Sequence, residues 1–167
     1  IFNSWMNILK KVDGSVMWIY VDKKYAQENL KKEAVKRNID PGRIIFAENE
    51  KMENHLERMK LADLFLDTWP YNAHTTASDS IRMGLPLLTL MGNSFSSRVA
   101  SSILSVINVP ELITKKIDDY ENLAIKLGNN KAELNKIRNK INTNIKSSSL
   151  YNIEEFTKNL ENIYKKI

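Results

Sequence analysis

Apolar residues along this chain fall into short continuous runs that alternate with segments of helical periodicity. The run "SVMWIYV", at residues 15–21, is typical of a strand that is buried on both faces. In the segment that follows, Ala26, Leu30 and Ala34 recur at the spacing of a helix. The alternation predicts strands at residues 15–21, 43–47, 64–67, 86–90 and 111–113. It predicts helices at residues 1–12, 23–38, 53–62, 76–83, 95–107 and 118–127.

The order of these elements predicts an α/β fold. Strands separated by helices of about ten residues imply βαβ crossovers, and hence a Rossmann-like parallel sheet of about five strands with flanking helices. Two further helices, predicted at residues 131–145 and 151–166, have no strand between them. We therefore predict a sheet-containing lobe at residues 1–130 and a C-terminal helical extension at residues 131–167 that packs on the same domain. An arm that crosses to a neighbouring domain is the alternative.

Composition limits the class of protein. The chain has 167 residues, 43% hydrophobic and 27% charged, which is a globular composition, and it contains no cysteine, which excludes disulfides and thiolate metal sites. No apolar run approaches the roughly 18 residues of a membrane span, and no signal-peptide pattern opens the chain. We therefore expect a cytoplasmic protein that has no membrane partner. Because the chain lacks an initiator Met and opens within a helical pattern, we interpret it as part of a longer protein.

The net charge of +5 is concentrated in the C-terminal segment. Residues 1–130 carry 17 Lys and Arg against 16 Asp and Glu, whereas residues 131–167 carry 8 against 4. Nucleic-acid binding calls for basic residues that cluster with aromatics or along one recognition helix. The lysines of the C-terminal segment are instead spaced as on the solvated faces of helices. We expect no nucleic-acid partner.

The stretch "FLDTWPYNAHTTASDS", residues 65–80, lies at the carboxyl end of the third predicted strand, where parallel sheets bind ligands. Asp67 and Thr68 end the strand, and "HTTASD" begins a helix in which Thr76 and Asp79 have the spacing of a capping box. The start of a helix presents unpaired N–H groups and a positive dipole end, so a phosphate or diphosphate is a natural ligand. Ordinary helix capping, with His74 as a hydrogen-bonded structural residue, is the alternative.

The preceding predicted helix holds a second candidate pair. His55 and Arg58 stand three residues apart and so share one face, beside an apolar stripe of Met52, Leu56 and Met59 that we expect to dock on the sheet. A neutral imidazole could stack on a nucleobase or bond to it, and the guanidinium could bond a carbonyl or a phosphate. The alternative is a solvated helix face.

Several common sites are absent from the sequence. Neither G-x-G-x-x-G nor a P-loop occurs, which argues against nicotinamide, flavin and Walker-type nucleotide binding. The two histidines are not arranged as H-E-x-x-H, and no G-x-S-x-G elbow is present. We expect no metal site. In the next loop, "MGNSFSSRVASSIL", Ser94 is a predicted N-cap, and the small residues that follow favour close packing of helix on sheet over ligand contact.

The segment "HLERMKLADLFLDTWPYNAHTTASDSIRMGLPLLTLMGNSFSSRVASSIL", followed by "VPELI" and "DYENLAIKLG", resembles the carboxyl-terminal catalytic lobe of the O-GlcNAc transferase family. That family of GT-B glycosyltransferases includes protein O-GlcNAc transferases, SPINDLY-type fucosyltransferases and bacterial homologues linked to tetratricopeptide repeats. The resemblance covers most of the chain, from about Trp5 to the last predicted helix. It implies that residues 1–130 form a nucleotide-sugar-binding lobe.

The resemblance also implies roles for individual residues. His55 matches the family histidine that packs on the nucleotide base, and Arg58 matches the arginine beside it. His74, Thr75 and Thr76 match the "HTT" motif that meets the donor diphosphate, and Asp79 matches the carboxylate that holds the ribose. Met52 stands where relatives of the animal enzyme have a Lys that reaches the ribose, which is a departure from the family pattern. The family's leaving-group Gln and Lys, and the proposed proton acceptor, belong to segments outside this sequence, so the catalytic residues are expected there.

The implied activity is the transfer of a sugar from a nucleotide sugar to a Ser or Thr hydroxyl of a protein. UDP-GlcNAc is the favoured donor, although uracil or guanine and GlcNAc, fucose or another hexose remain open. No metal or further cofactor is expected. The implied partners are a protein acceptor and the amino-terminal lobe and tetratricopeptide repeats of the longer chain, without which this chain should bind donor weakly and not transfer sugar. The alternative is a non-catalytic interaction module that retains the fold.

Overall fold

The computed structural model describes residues 1–166, and in it helices cover parallel β-strands. The strands are β1 Met17–Tyr20, β2 Ile44–Ala47, β3 Phe65–Leu66, β4 Leu87–Leu90 and β5 Ile113–Thr114. The helices are α1 Phe2–Lys11, α2 Lys24–Lys36, α3 Met52–Met59, α4 Thr75–Arg82, α5 Val99–Val106, α6 Ile117–Asn129, α7 Lys131–Asn144 and α8 Ile153–Tyr164. The α/β class and the order of elements are confirmed. The fifth strand begins later than predicted because Pro110–Leu112 forms a short 3-10 helix.

All strand pairings are parallel, as predicted, but the hydrogen bonds divide the strands into two sets. β1 pairs with β2, and the order of the second set is β3-β4-β5. Helix α1 joins the sets through the core, because Leu9 belongs to the buried cluster of Ile44 in β2 whereas Ile8 belongs to that of Leu88 in β4. Side-chain packing on helix α1 therefore holds the two sets of strands together, in place of backbone hydrogen bonds between them.

Strand β4 is at the centre of the core, since all four of its residues are buried. Successive side chains of a strand point to opposite faces. Accordingly, Leu87 belongs to a cluster with helices α4, α5 and α7, and Leu88 belongs to one with α1 and α6. β4 is thus covered on both faces, which is the arrangement expected of a parallel strand.

The prediction that β1 is buried on both faces is wrong. Its burial alternates, and the side chains of Trp18 and Tyr20 are 40% and 52% exposed. Met17 and Ile19 pack on the cluster formed by α1, α2 and β2, while the opposite face is only partly covered. A continuous apolar run predicts two apolar faces correctly, but it does not reveal which of them the rest of the chain covers.

The two C-terminal helices differ in how they pack. Helix α7 contributes Leu134, Ile137 and Ile141 to the main core cluster. In helix α8, by contrast, none of the residues is buried. Its apolar residues recur at helical spacing, and Ile153, Phe156, Leu160 and Ile163 are all exposed. This apolar stripe therefore lacks a packing partner among residues 1–166. The proposed boundary at residue 130 stays a prediction.

Candidate functional site

Helix α4 begins at the carboxyl end of β3 without a side-chain cap. Its N-cap is His74, so Thr75 and Thr76 lie inside the first turn, and the predicted capping by Thr76 and Asp79 is wrong. The first backbone bond of the helix runs from the Ser78 N–H to the His74 carbonyl at 3.1 Å. The three preceding N–H groups point beyond the helix end, and both Thr side chains are exposed. This end can therefore donate several hydrogen bonds to an anion.

The imidazole of His74 is held between two aromatic side chains at the same place. Tyr71 stacks on it with ring centroids 4.9 Å apart, and Phe95, from the loop after β4, meets it edge-on at 6.0 Å. Its Nε2 atom is buried and has no hydrogen-bond partner among the described residues. A buried polar nitrogen without a partner is rare, so this atom has bonding capacity left for a ligand.

The loop between β3 and α4 is organised by Asp67, which the sequence pattern marked only as the end of a strand. Its carboxylate is fully buried and accepts three hydrogen bonds. Oδ1 accepts from the N–H groups of Thr68 at 2.8 Å and Ala73 at 2.7 Å, and Oδ2 accepts from the Thr89 hydroxyl at 2.6 Å. The backbone carbonyl of Asp67 accepts from the Tyr120 hydroxyl at 3.0 Å. The only sequence signal for this role was a single acidic residue directly after an apolar strand.

Burial raises the pKa of Asp67 above its ordinary value of 3.8. The hydrogen bonds from Thr89, Ala73 and Thr68 and the attraction to His74 lower this pKa, but the effect of burial is larger. Because the folded pKa exceeds the unfolded one, the folded state binds more protons between these two values. The free energy of unfolding should therefore fall as the pH rises through that window, and stay level above it.

Urea denaturation at a series of pH values from about 4 upward would measure this dependence. The stability of the parent chain relative to Asp67→Asn should decline with rising pH, since asparagine does not titrate. A difference between the two proteins that is independent of pH would contradict the assignment of this pKa shift to Asp67.

His55 and Arg58 of α3 are in direct contact, as their spacing suggested. Arg58 Nη2 lies 2.8 Å from His55 Nδ1, and Arg58 Nη1 donates to the Glu48 carbonyl just beyond β2 at 2.6 Å. The guanidinium also lies over the ring of Trp18, 5.9 Å from its centroid. A guanidinium has no acceptor atom, so Nδ1 must accept, and a neutral His55 carries its proton on Nε2. That N–H is available to a ligand.

The apolar stripe of α3 docks only in part. Met59 is buried and Leu56 is half-buried, but Met52 is 64% exposed, so its predicted docking on the sheet is wrong. Met52 is the first residue of α3. Its exposed position places a flexible apolar side chain one turn before His55.

Asp79 lies one turn after Thr75 on α4 and is half-buried. Positions four apart share a helix face, so the Asp79 carboxylate follows the exposed Thr75 hydroxyl along α4. The C-terminal segment supports this helix, because the Tyr151 hydroxyl donates to the Ser78 carbonyl at 2.7 Å. Helix α3 packs against α4, which brings the two candidate groups onto neighbouring helices.

Residues 1–166 contain no cluster of three or more His, Asp or Glu side chains that could hold a metal ion. Within the same range, no helix combines the length and apolar character of a membrane span.

A parallel α/β fold with an uncapped helix start at the carboxyl end of a strand is common among nucleotide- and phosphate-binding proteins. Comparison with known families is more specific. Residues 1–160 match the model described as Glycosyl transferase family 41, and the chain belongs to that family.

Similar curated proteins carry related names. The chain is 35% identical over 159 residues to a UDP-N-acetylglucosamine–peptide N-acetylglucosaminyltransferase of Caenorhabditis elegans, covering 95% of this chain and 14% of that protein. It is 30% identical over 168 residues to the probable enzyme SEC of Arabidopsis thaliana, covering 100% and 17% respectively. A SPINDLY protein of Petunia hybrida is 32% identical over 112 residues, covering 67% and 12%. The chain thus spans less than a fifth of these relatives.

The fold also matches a solved structure. An O-GlcNAc transferase mutant from Thermobaculum terrenum superposes with a TM-score of 0.90 at 24% identity, over 99% of this chain and 32% of that one. At this identity the match establishes the fold, and it agrees with the predicted GT-B lobe.

Proposed function

We propose that this chain is the donor-binding lobe of a glycosyltransferase that transfers a sugar from a nucleoside diphosphate sugar to a Ser or Thr hydroxyl of a protein. The observation that carries the proposal is the uncapped start of α4, where Thr75 and Thr76 are exposed beside the unpartnered Nε2 of His74. Membership in glycosyl transferase family 41 and the names of the relatives support it. UDP-GlcNAc is the proposed donor because both of those relatives are named for it.

In this proposal the diphosphate lies at the N-terminal end of α4. The hydroxyls of Thr75 and Thr76 and the free N–H groups of the first turn donate to its oxygens, and the helix dipole favours its negative charge. Asp79, one turn further along, accepts hydrogen bonds from the ribose hydroxyls. The base lies toward α3, where His55 Nε2–H donates to it and Arg58 completes the contact.

The proposed reaction forms a bond between the acceptor hydroxyl oxygen and the anomeric carbon as the bond from that carbon to the diphosphate breaks. The diphosphate leaves with the electron pair, and the hydroxyl proton passes to a base outside this chain. Charge develops on the leaving diphosphate, so the donors at the start of α4 stabilise the transition state more than the ground state. We propose that no metal takes part. The amino-terminal lobe and the leaving-group Gln and Lys implied by the family lie outside this chain, so it should bind donor without transferring sugar.

Calorimetric titration of UDP and of uridine should separate the two parts of this site. Thr75→Ala combined with Thr76→Ala is expected to weaken UDP binding roughly tenfold or more, since two hydrogen bonds to a charged group are lost. The same variant should bind uridine as the parent does. His55→Ala should weaken both ligands, because uridine retains the base.

The matched control is Thr143→Ala combined with Thr157→Ala, which removes two exposed helix hydroxyls away from α4 and should leave both affinities unchanged. Titration with GDP would test the choice of base. Absence of binding of UDP, GDP and their sugars to the parent chain at millimolar concentration would leave the fold and family standing and the proposed function refuted. Unchanged UDP affinity in the double Thr variant would refute the diphosphate site alone.

The second candidate function is a non-catalytic interaction module, and α8 is the observation that favours it. The exposed apolar stripe of this helix is a surface that a partner could cover. Nucleotide titration distinguishes the two functions, because an interaction module needs no affinity for UDP.

A further inference from the structure

Asp67 stands out among the buried polar residues because it is a fully buried carboxylate with no ion-pair partner within 4.0 Å among residues 1–166. Burying a charge is costly unless hydrogen bonds or an opposite charge compensate it. Here the compensation comes from two backbone N–H groups and the Thr89 hydroxyl. Two of these donors, Thr68 and Ala73, are the first and last residues of the segment between Asp67 and His74.

This segment, residues 68–73, has little regular structure to hold it in place. Apart from the bonds to Asp67, the Asn72 N–H donates to the Ser96 carbonyl at 2.9 Å, and its side-chain amide donates to the carbonyls of Thr68 at 2.7 Å and Leu90 at 3.4 Å. Within the segment, the Thr68 hydroxyl donates to the Tyr71 carbonyl at 2.6 Å. Ala73 is followed at once by His74, the N-cap of α4, and then by Thr75. The bond from Ala73 to Oδ1 is therefore the last contact with the end of β3 before α4 begins.

Resting on the proposed function, we propose that Asp67 is the positioning residue of the diphosphate site. Its carboxylate ties both ends of segment 68–73 to the end of β3, and Thr89 of β4 fixes the orientation of that carboxylate. The tie sets where His74, Thr75 and Thr76 stand relative to the sheet. Asp67 itself is fully buried and does not touch the donor.

Positioning and simple electrostatics make opposite predictions for Asp67→Asn. A buried negative charge repels a diphosphate, so its removal alone would tighten UDP binding. Asparagine keeps the shape but is a weaker acceptor for two N–H groups than a carboxylate, and it turns a donor toward Thr89. The positioning role therefore predicts weaker UDP binding, by about threefold to tenfold for a loss near 1 kcal/mol.

The test uses UDP and uridine titrations of the parent, Asp67→Asn and Thr89→Val. Both variants should bind UDP more weakly and uridine as the parent does, since uridine lacks the diphosphate that the start of α4 is proposed to hold. Thr89→Val removes only the partner of Oδ2 and keeps the side-chain shape, so it remains informative where a larger change at Asp67 would unfold the chain. Equal losses for UDP and uridine would mean a merely structural role and would overturn the inference.

Amide hydrogen exchange supplies a readout that needs no ligand. In Asp67→Asn the Ala73 amide should exchange at least several-fold faster than in the parent, while the Met91 amide, bonded to the Thr114 carbonyl at 2.8 Å, should be unchanged. Unaltered exchange at Ala73, or unchanged or tighter UDP binding, would overturn the inference. A parent that binds neither UDP nor uridine would instead refute the proposed function, and the positioning role with it.

Discussion

Removing residues 131–167 is expected to leave a chain that no longer unfolds cooperatively. The deletion takes Leu134, Ile137 and Ile141 out of the main core cluster. Each buried aliphatic side chain contributes about 1.5–3 kcal/mol, so the direct loss is about 5–9 kcal/mol. That is comparable with the whole stability of an ordinary domain, which is about 5–15 kcal/mol. Urea titration followed by circular dichroism would measure it.

Removal of residues 153–167 is the matched control. It deletes α8, none of whose residues is buried, and it keeps Tyr151 with its bond to Ser78. The urea midpoint of this shorter chain should stay close to that of the parent. Two results would contradict the assignment of α7 to the core and α8 to the surface. One is a cooperative transition in the chain that ends at residue 130, and the other is a large loss of stability on deleting α8 alone.

Ile81→Ala is expected to cost about 2–5 kcal/mol of the free energy of unfolding. Ile81 is fully buried in α4, the helix whose start forms the candidate site, and it packs in the main core cluster. Alanine has a higher helix propensity than isoleucine, so the loss reflects the cavity rather than the helix. The measurement is urea denaturation of both proteins at one pH.

Ile153→Ala makes the same chemical change where the side chain is 78% exposed, at the first residue of α8. It should change stability by less than about 0.5 kcal/mol. Similar losses at both positions would mean that residue 153 is covered in solution, contrary to its exposure in the structure.

Sequence patterns predicted the fold well because its strands and helices have distinct apolar periods. The pattern was least informative about which surfaces are covered. The apolar sequence of β1 did not indicate that Trp18 and Tyr20 would be exposed, since burial depends on elements that pack from elsewhere along the chain. Helix periodicity likewise predicted α8 but not its lack of a packing partner among the described residues.

The sequence predicted some contacts within the candidate site and missed others. Spacing put His55 and Arg58 on one face, and the structure brings them into hydrogen-bond contact. The capping prediction for Thr76 failed because the helix begins directly after His74, which places Thr76 inside the first turn instead of at the N-cap. Asp67 was missed as an organiser because its three bonds come from residues one, six and 22 positions away, which no short motif describes. The roles of these residues toward a ligand stay predictions.

Trp69 and Trp18 give the two halves of the candidate site separate optical signals. The indole of Trp69 lies within segment 68–73 and meets the ring of Tyr120 edge-on at 4.9 Å, whereas that of Trp18 lies beneath Arg58. Indole emission depends on the polarity and charge around the ring. With Trp5 replaced by phenylalanine, and one of the other two replaced in turn, stopped-flow fluorescence could follow arrival of the base and of the diphosphate as distinct events in time.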